Sequence, residues 1–151
     1  MRQVLYLHGF TGGCWEAQAL QLRWGVPVRG VTMPGHGGQL AGERYDFEEA
    51  VRRVLNVVEE AGDKEVSLVG YSMGARVGLA AALRKPDCFH RVVLIGVRPG
   101  LEDPKERQDR VALDELRARK LEELGVERFM DWWESLPVIA SQADIESVVR
   151  E

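Results

Sequence analysis

The sequence has 151 residues, of which 45% are hydrophobic and 29% charged, as in a single globular domain. This composition excludes a disordered chain, a collagen-like repeat and a disulfide scaffold, and the net charge of −4 argues against a general nucleic-acid-binding surface. Cys14 and Cys88 lack metal-ligand spacing, so we predict no metal site and expect two buried, free thiols. There is no long apolar run and no secretory signal, so we predict no membrane span and a cytoplasmic location.

Short apolar runs alternate with helical patterns along the first 100 residues. The runs that predict strands are residues 4–7, 26–31, 66–69 and 92–95, and the segments that predict helices are 14–23, 46–60 and 72–83. Asp46 is a predicted N-cap, with Glu49 three residues later as in a capping box. Strands that are continuously apolar and alternate with helices predict a parallel sheet of four strands with covering helices.

The pattern changes after residue 100. Residues 1–100 carry 12 basic and 10 acidic groups, whereas residues 101–151 carry 8 and 14. The second part contains no predicted strand. It contains a polar helix over 103–124 that ends at Gly125, and shorter helices over 126–136 and 141–150. We therefore predict two domains, an α/β core over 1–100 and a helical cap over 101–151.

The residues that point to chemistry follow the third and first predicted strands. Gly70-Tyr71-Ser72-Met73-Gly74 matches G-x-S-x-G between a strand and a helix, the context of a nucleophile elbow. His8-Gly9-Phe10 follows the first strand, where this architecture places a second oxyanion-hole donor. The sequence thus predicts Ser72 as the reactive residue and the backbone N–H groups of Phe10 and Met73 as the oxyanion hole. The alternative is that Ser72 only caps a helix and that His8-Gly9 only ends a strand.

These motifs resemble the α/β-hydrolase-fold family, and within it the 2-succinyl-6-hydroxy-2,4-cyclohexadiene-1-carboxylate synthases of menaquinone biosynthesis. The similarity spans nearly the whole chain. It rests on residues 7–12, 34–37, 70–77, 99–101, 107–114 and 129–137. The resemblance implies a carbon–oxygen lyase without a cofactor, which eliminates pyruvate from a 2-succinyl-cyclohexene carboxylate precursor. The serine, activated by a histidine, would act as a base.

The substrate that the resemblance implies is a small organic anion with several carboxylates. Arginine binds such groups well because its planar guanidinium forms paired hydrogen bonds. Arg76 lies one helical turn beyond Ser72. The resemblance adds a second arginine, an elbow tyrosine and two tryptophans. The predicted substrate-binding residues are Tyr71, Arg76, Arg110, Trp132 and Trp133. The alternative for each arginine is an exposed helix position, and His36 is expected to shape its loop.

The catalytic acid and histidine of this fold are expected after the serine. Only His90 follows Ser72, and it lies at the opposite end of the predicted sheet, about 13–17 Å away by strand rise. His90 therefore cannot be the base. By resemblance, roughly the last third of the family pattern is absent, so we expect a truncated chain or a fragment. The fourth strand would then be an exposed apolar edge that invites self-association.

Three functions remain open from the sequence. The first is the menaquinone-pathway lyase, and the second is a serine carboxylesterase or a C–C hydrolase of the same fold. The third is a non-catalytic chain that binds an anionic ligand. Replacement of Arg76 by Ala should separate the first two, because only the lyase needs to bind carboxylates there.

Overall fold

A computed structural model gives the fold of residues 3–37, 45–62 and 65–140. The core contains one parallel sheet in the order β2-β1-β3-β4. The strands are β1 (Gln3–Leu7), β2 (Val28–Val31), β3 (Val66–Tyr71) and β4 (Phe89–Ile95). In the ladders Leu7 pairs with both Val31 and Gly70, and Gly70 pairs with Leu94. The predicted sheet of four parallel strands is confirmed, and the carboxyl ends of all the strands meet at one edge.

Helices cover both faces of this sheet. They are α1 (Glu16–Trp24), α2 (Phe47–Ala61) and α3 (Met73–Arg84), and a short 3₁₀ turn follows at Pro86–Cys88. Successive side chains of a strand point to opposite faces. Leu7 faces α2 and α3, in a buried cluster that comprises Leu7, Val31, Met33, Ala50, Val51, Val54, Leu68, Val77 and Ala81. Tyr6 points to the other face, where its hydroxyl donates a hydrogen bond to Glu16 of α1.

The start of α2 forms as the sequence predicts. The Asp46 carboxylate accepts a hydrogen bond of 2.8 Å from the Glu49 N–H, so the predicted N-cap is confirmed. The Glu49 carboxylate binds Arg52 at 2.7 Å and Arg53 at 3.0 Å. Since both arginines are on the same helix, at i+3 and i+4 from Glu49, these pairs stabilise the first turns of α2.

The edge strand β4 is longer than the predicted run, because its pairing with β3 begins at Phe89. Its side chains are less covered than those of the central strands: Val92 is 38% exposed, and Val93 and Ile95 are each 49% exposed. Within the described residues, β3 is the only strand that pairs with β4. An apolar edge of this kind is a template for pairing with another strand.

The chain divides into two compact units, Met1–Pro99 and Gly100–Glu151. In the second unit, α4 (Pro104–Glu134) is interrupted at Gly125, whose φ of 72° lies in the left-handed region. The predicted stop at Gly125 is thus confirmed as a break, after which the helix resumes. A short helix, α5 (Pro137–Ala140), follows. The helix predicted over 141–150 lies outside the described residues.

The thiols differ from the expectation. Cys14 is exposed and Cys88 is half-buried, and both are free. The prediction of burial is therefore wrong for Cys14, which precedes α1 at a surface turn. No helix in the described part of the chain is long and apolar enough to cross a bilayer.

Candidate active site

Ser72 occupies a strained turn between β3 and α3. Its φ of 51° and ψ of −106° make it the one residue other than glycine with a positive φ in the described ranges. Such a conformation costs roughly 1–3 kcal/mol and persists where its surroundings hold it. The Ser72 N–H donates a hydrogen bond of 2.8 Å to the carbonyl oxygen of Ile95 at the end of β4. Ser72 occupies the N-cap position of α3, but its side chain makes no capping hydrogen bond, which does not support the alternative that Ser72 only caps the helix.

Two glycines allow the turn to be this tight. A Cβ added at Gly70 would lie 2.7 Å from the carbonyl oxygen of Gly74. A Cβ added at Gly74 would lie 2.7 Å from the carbonyl oxygen of His8 and closer still to that of Leu7. These distances are shorter than real Cβ contacts allow. The motif needs glycine at both positions because backbone occupies the space on either side.

The loop that carries Phe10 lies against the serine turn. A Cβ added at Gly9 would be 3.0 Å from Tyr71 Cδ1 and 3.8 Å from Ser72 Cβ. The loop is a turn in which the Gly12 N–H donates to the Gly9 carbonyl oxygen at 3.2 Å. As the first residue of α3, Met73 has an N–H with no partner inside the helix. The positions of the Phe10 loop and of Met73 support the predicted oxyanion hole, which stays a prediction.

His8 is fully buried at the end of β1, and both of its ring nitrogens bind backbone. Its Nε2 accepts a hydrogen bond of 3.1 Å from the Met33 N–H. Its Nδ1 therefore carries the proton and donates to the Gly9 carbonyl oxygen at 2.8 Å. Burial lowers the pKa of His8, although the hydrogen bond to Gly9 acts in the opposite direction. His8 ties the loop after β1 to the loop after β2.

The other two histidines make no hydrogen bond to Ser72 in the part of the chain that the structure describes. The Nε2 of His36 lies 2.6 Å from the Phe10 carbonyl oxygen, and its Nδ1 lies 3.1 Å from that of Pro34. His90 is exposed near the start of β4, at the opposite end of the strand whose last residue holds Ser72. This placement agrees with the argument from strand rise. The sequence indicated loop shaping for His36, but it did not indicate the contact with Phe10.

Tyr6 and Glu16 support the end of the loop that carries Phe10. Besides the Tyr6 hydroxyl, the Glu16 carboxylate accepts a hydrogen bond of 3.3 Å from the Gly13 N–H. Burial raises the pKa of Tyr6, and the hydrogen bond to Glu16 raises it further. Sequence reasoning missed this pair. The spacing of Gly13 and Glu16 is a weak helix-start signal, and nothing local links either residue to Tyr6.

Two of the predicted substrate-binding residues lie in the same unit as Ser72. Tyr71 is 38% exposed, and its ring lies beside Gly9 and within 3.9 Å of a Cβ added at Gly96. Arg76 is exposed on α3, and its N–H donates to the Ser72 carbonyl oxygen at 3.3 Å. Arg76 is therefore one turn from the serine, as predicted. Binding of substrate by either residue stays a prediction.

Arg110 lies in the helical unit and is already paired. Its Nε donates to the Asp114 carboxylate at 2.7 Å, and the pair is about half exposed to solvent. Arg117 binds the same carboxylate at 3.3 Å. An anionic ligand at Arg110 would have to compete with Asp114. Exposed pairs of this kind are weak, at about 0–1 kcal/mol, so the pairing leaves the predicted role open.

Trp132 and Trp133 form an aromatic cluster with buried Phe129 in the helical unit. The ring centres of Phe129 and Trp132 are 5.4 Å apart, and those of Phe129 and Trp133 are 5.9 Å apart. Lys120 and Arg117 lie over the two indole rings, at 4.7 Å from Trp132 and 5.2 Å from Trp133. These contacts account for the tryptophans as packing within the unit. Their predicted contact with substrate stays a prediction.

Comparisons with known proteins agree on one family. The sequence profile of the Alpha/beta hydrolase family matches residues 4–145. A 2-succinyl-6-hydroxy-2,4-cyclohexadiene-1-carboxylate synthase from Escherichia coli O1:K1 / APEC is 32% identical over 93% of this chain and 56% of its own length. The structure of MenH from S. aureus aligns with a TM-score of 0.84 at 27% identity, over 99% of this chain and 59% of that one.

A less similar solved structure is that of a hydrolase. Epoxide hydrolase VrEH1 from Vigna radiata aligns with a TM-score of 0.55 at 29% identity, over 69% of this chain and 36% of that one. The chain spans about half the length of the curated relatives it matches, 55% and 56% for two of them. The similarity therefore covers the serine turn and the Phe10 loop, and the relatives contain further residues.

Proposed function

Because this chain belongs to the α/β hydrolase family, we propose that its serine turn is the reaction centre of a carbon–oxygen lyase of menaquinone biosynthesis. The proposed reaction eliminates pyruvate from a 2-succinyl-cyclohexene carboxylate precursor. The name of the relative from Escherichia coli supports this substrate class. The observation that carries the proposal is the strained turn of Ser72, with its N–H held by Ile95 beside the Phe10 loop.

The chemistry requires a base and a site for negative charge. In the proposed step, Ser72 Oγ passes its proton to a histidine and takes a proton from the carbon next to the succinyl carbonyl. The electron pair moves through the ring, the C–O bond breaks, and pyruvate leaves as its enolate, which then takes up a proton. Negative charge develops on the succinyl oxygen, where the N–H groups of Phe10 and Met73 would stabilise it. One such donor contributes a factor of about 100 to 1,000 in rate.

The three histidines of this chain do not supply the histidine of this mechanism. His8 and His36 bind backbone groups through their ring nitrogens, and His90 lies at the far end of β4. The relatives extend beyond the part that this chain matches. The proposed base corresponds to a histidine in the part of the relatives that this chain does not match.

Arginines would bind the carboxylates of the substrate. Arg76 is the best-supported of them, because it is exposed and one turn from Ser72. A hydrogen bond between charged groups contributes about 1.5–3 kcal/mol. The resemblance adds Arg110, and it adds Tyr71, Trp132 and Trp133 as further contacts.

The test is an assay of pyruvate release by the protein that contains this chain, coupled to lactate dehydrogenase and NADH. Replacement of Ser72 by Ala should lower kcat at least about 1,000-fold, since it removes the group that takes the proton. Ser67→Ala, on β3 within the same sheet, should leave the rate within about 2-fold. A Ser72→Ala variant as fast as the unmodified protein would overturn the proposal.

A second candidate is a serine carboxylesterase or a C–C hydrolase, because a serine on such a turn beside two N–H donors also suits acyl transfer. Rapid cleavage of aryl esters without pyruvate release would support it. A third is that the 151-residue chain by itself only binds an anion, since none of its three histidines is hydrogen-bonded to Ser72 in the described residues and Arg76 is exposed one turn from it. Saturable binding of 2-succinyl-6-hydroxy-2,4-cyclohexadiene-1-carboxylate without turnover would support this one.

A further inference from the structure

We propose that His36 is a positioning residue of the serine site, which fixes Phe10 by donating a hydrogen bond from Nε2 to the Phe10 carbonyl oxygen at 2.6 Å. The two residues are 26 positions apart, in the loops after β2 and β1. The contact therefore joins two loops at the carboxyl edge of the sheet. This inference rests on the oxyanion role of Phe10 in the proposed function.

Phe10 is held through both of its peptide groups. The group before it contains the Gly9 carbonyl, which accepts hydrogen bonds from His8 Nδ1 at 2.8 Å and from the Gly12 N–H at 3.2 Å. In a trans peptide the N–H points opposite to the carbonyl, so the Phe10 N–H points away from these donors. The group after it contains the Phe10 carbonyl, which His36 holds. With both groups fixed, the direction of the Phe10 N–H is fixed too.

The partners of the two histidines assign their protons to opposite nitrogens. His8 Nε2 accepts from the Met33 N–H, so its proton is on Nδ1. His36 faces two carbonyl oxygens, and a neutral imidazole has one N–H. The contact with Phe10 is shorter than the contact with Pro34, 2.6 Å against 3.1 Å, so the proton of the neutral ring is on Nε2. The two rings pack edge to face with centres 4.8 Å apart.

The loop of His36 also has a backbone hydrogen bond of its own. Its turn is closed by the His36 N–H, which donates to the Met33 carbonyl oxygen at 3.2 Å. The Met33 N–H in turn holds the loop to His8. His36 acts on Phe10 through the Nε2 bond and through an edge-to-face contact of the two rings, whose centres are 6.3 Å apart. His36→Phe removes the Nε2 bond and the Nδ1 contact with Pro34 but keeps an aromatic ring, and the backbone bond that closes the turn does not depend on the side chain.

The first test is NMR on the 151-residue chain and does not depend on activity. In protein labelled with ¹³C and ¹⁵N at pH 8, His36 should be protonated on Nε2 and His8 on Nδ1. The ¹³C shift of the Phe10 carbonyl should move in His36→Phe and return most of the way in His36→Gln, whose amide can donate. His90→Phe is the control and should leave it unchanged. A His36 ring with an unprotonated Nε2 would overturn the proposal.

The second test uses pyruvate release by the protein that contains this chain. Misplacement of an oxyanion donor should lower kcat of His36→Phe by about 10- to 100-fold, with KM within about 2-fold, since the interaction strengthens in the transition state. His36→Gln should recover most of kcat. An unchanged kcat in a folded His36→Phe would refute the positioning role. If the unmodified protein releases no pyruvate, the proposed function fails, whereas the NMR result still decides the contact.

Discussion

The Gly74 N–H donates a hydrogen bond of 3.1 Å to the carbonyl oxygen of His8. This bond joins the first turn of α3 to the end of β1. The predicted oxyanion donors flank it, since Met73 precedes Gly74 and Phe10 is two residues beyond His8. The two motifs therefore form one backbone unit, in which a shift of either loop moves both donors.

A side chain at Gly74 should break this unit. We expect Gly74→Ala to lower the free energy of unfolding by about 1–3 kcal/mol, because the new Cβ would overlap the Leu7 and His8 carbonyls. Urea denaturation followed by circular dichroism measures the change. Gly100→Ala is the matched control, because a Cβ there meets nothing within 4 Å. Equal stability of the two variants would contradict the close approach.

The buried His8 should make stability depend on pH. Burial lowers its pKa in the folded chain, so below about pH 6.5 the unfolded chain takes up a proton that the folded chain does not. Stability should therefore be full above that pH and fall as the pH drops toward the folded pKa, by at most about 1.4 kcal/mol per pH unit.

Urea denaturation between pH 5 and 7.5 measures this slope. His8→Gln should flatten it, although the variant is less stable overall, and the exposed His90→Gln should keep it. An NMR titration of the unmodified chain tests the same pKa directly. We expect the titration of the His8 ring to have its midpoint below pH 6.5. A midpoint above that value would show that the folded state favours the charged ring.

The exposed edge of β4 should promote self-association. Val93 is 49% exposed on a strand that pairs only with β3 in the described residues. We expect Val93→Lys to lower the fraction of dimers and larger species, since a charge on an edge strand opposes pairing. Sedimentation velocity at several concentrations measures this. Val138→Lys adds the same charge at a residue that is 74% exposed outside the sheet, and it should have little effect.

Local patterns in the sequence were enough for the order of the elements, the Asp46 cap, the break at Gly125 and the strained serine turn. They were not enough for the start of β4, because its first residues are apolar only in part and pair with β3 through a register shift. The roles of His8 and His36 rest on hydrogen bonds that span 25 and 26 residues. Contacts of this kind follow from the folded topology, so no local pattern could indicate them.

Arg76 should separate the lyase from an esterase. If it binds a substrate carboxylate, Arg76→Ala should lower kcat/KM for pyruvate release by roughly 10- to 100-fold, because a hydrogen bond between charged groups is lost. Arg76→Lys should recover part of this, since Lys keeps the charge but not the planar pair of donors. Cleavage of a neutral aryl ester should change by less than about 2-fold. Arg84→Ala, on the same helix but paired with Glu48 at 2.7 Å, is the control. Equal loss with both substrates would instead mean that Arg76 supports the serine turn through the helix, and carboxylate binding would have to be assigned elsewhere.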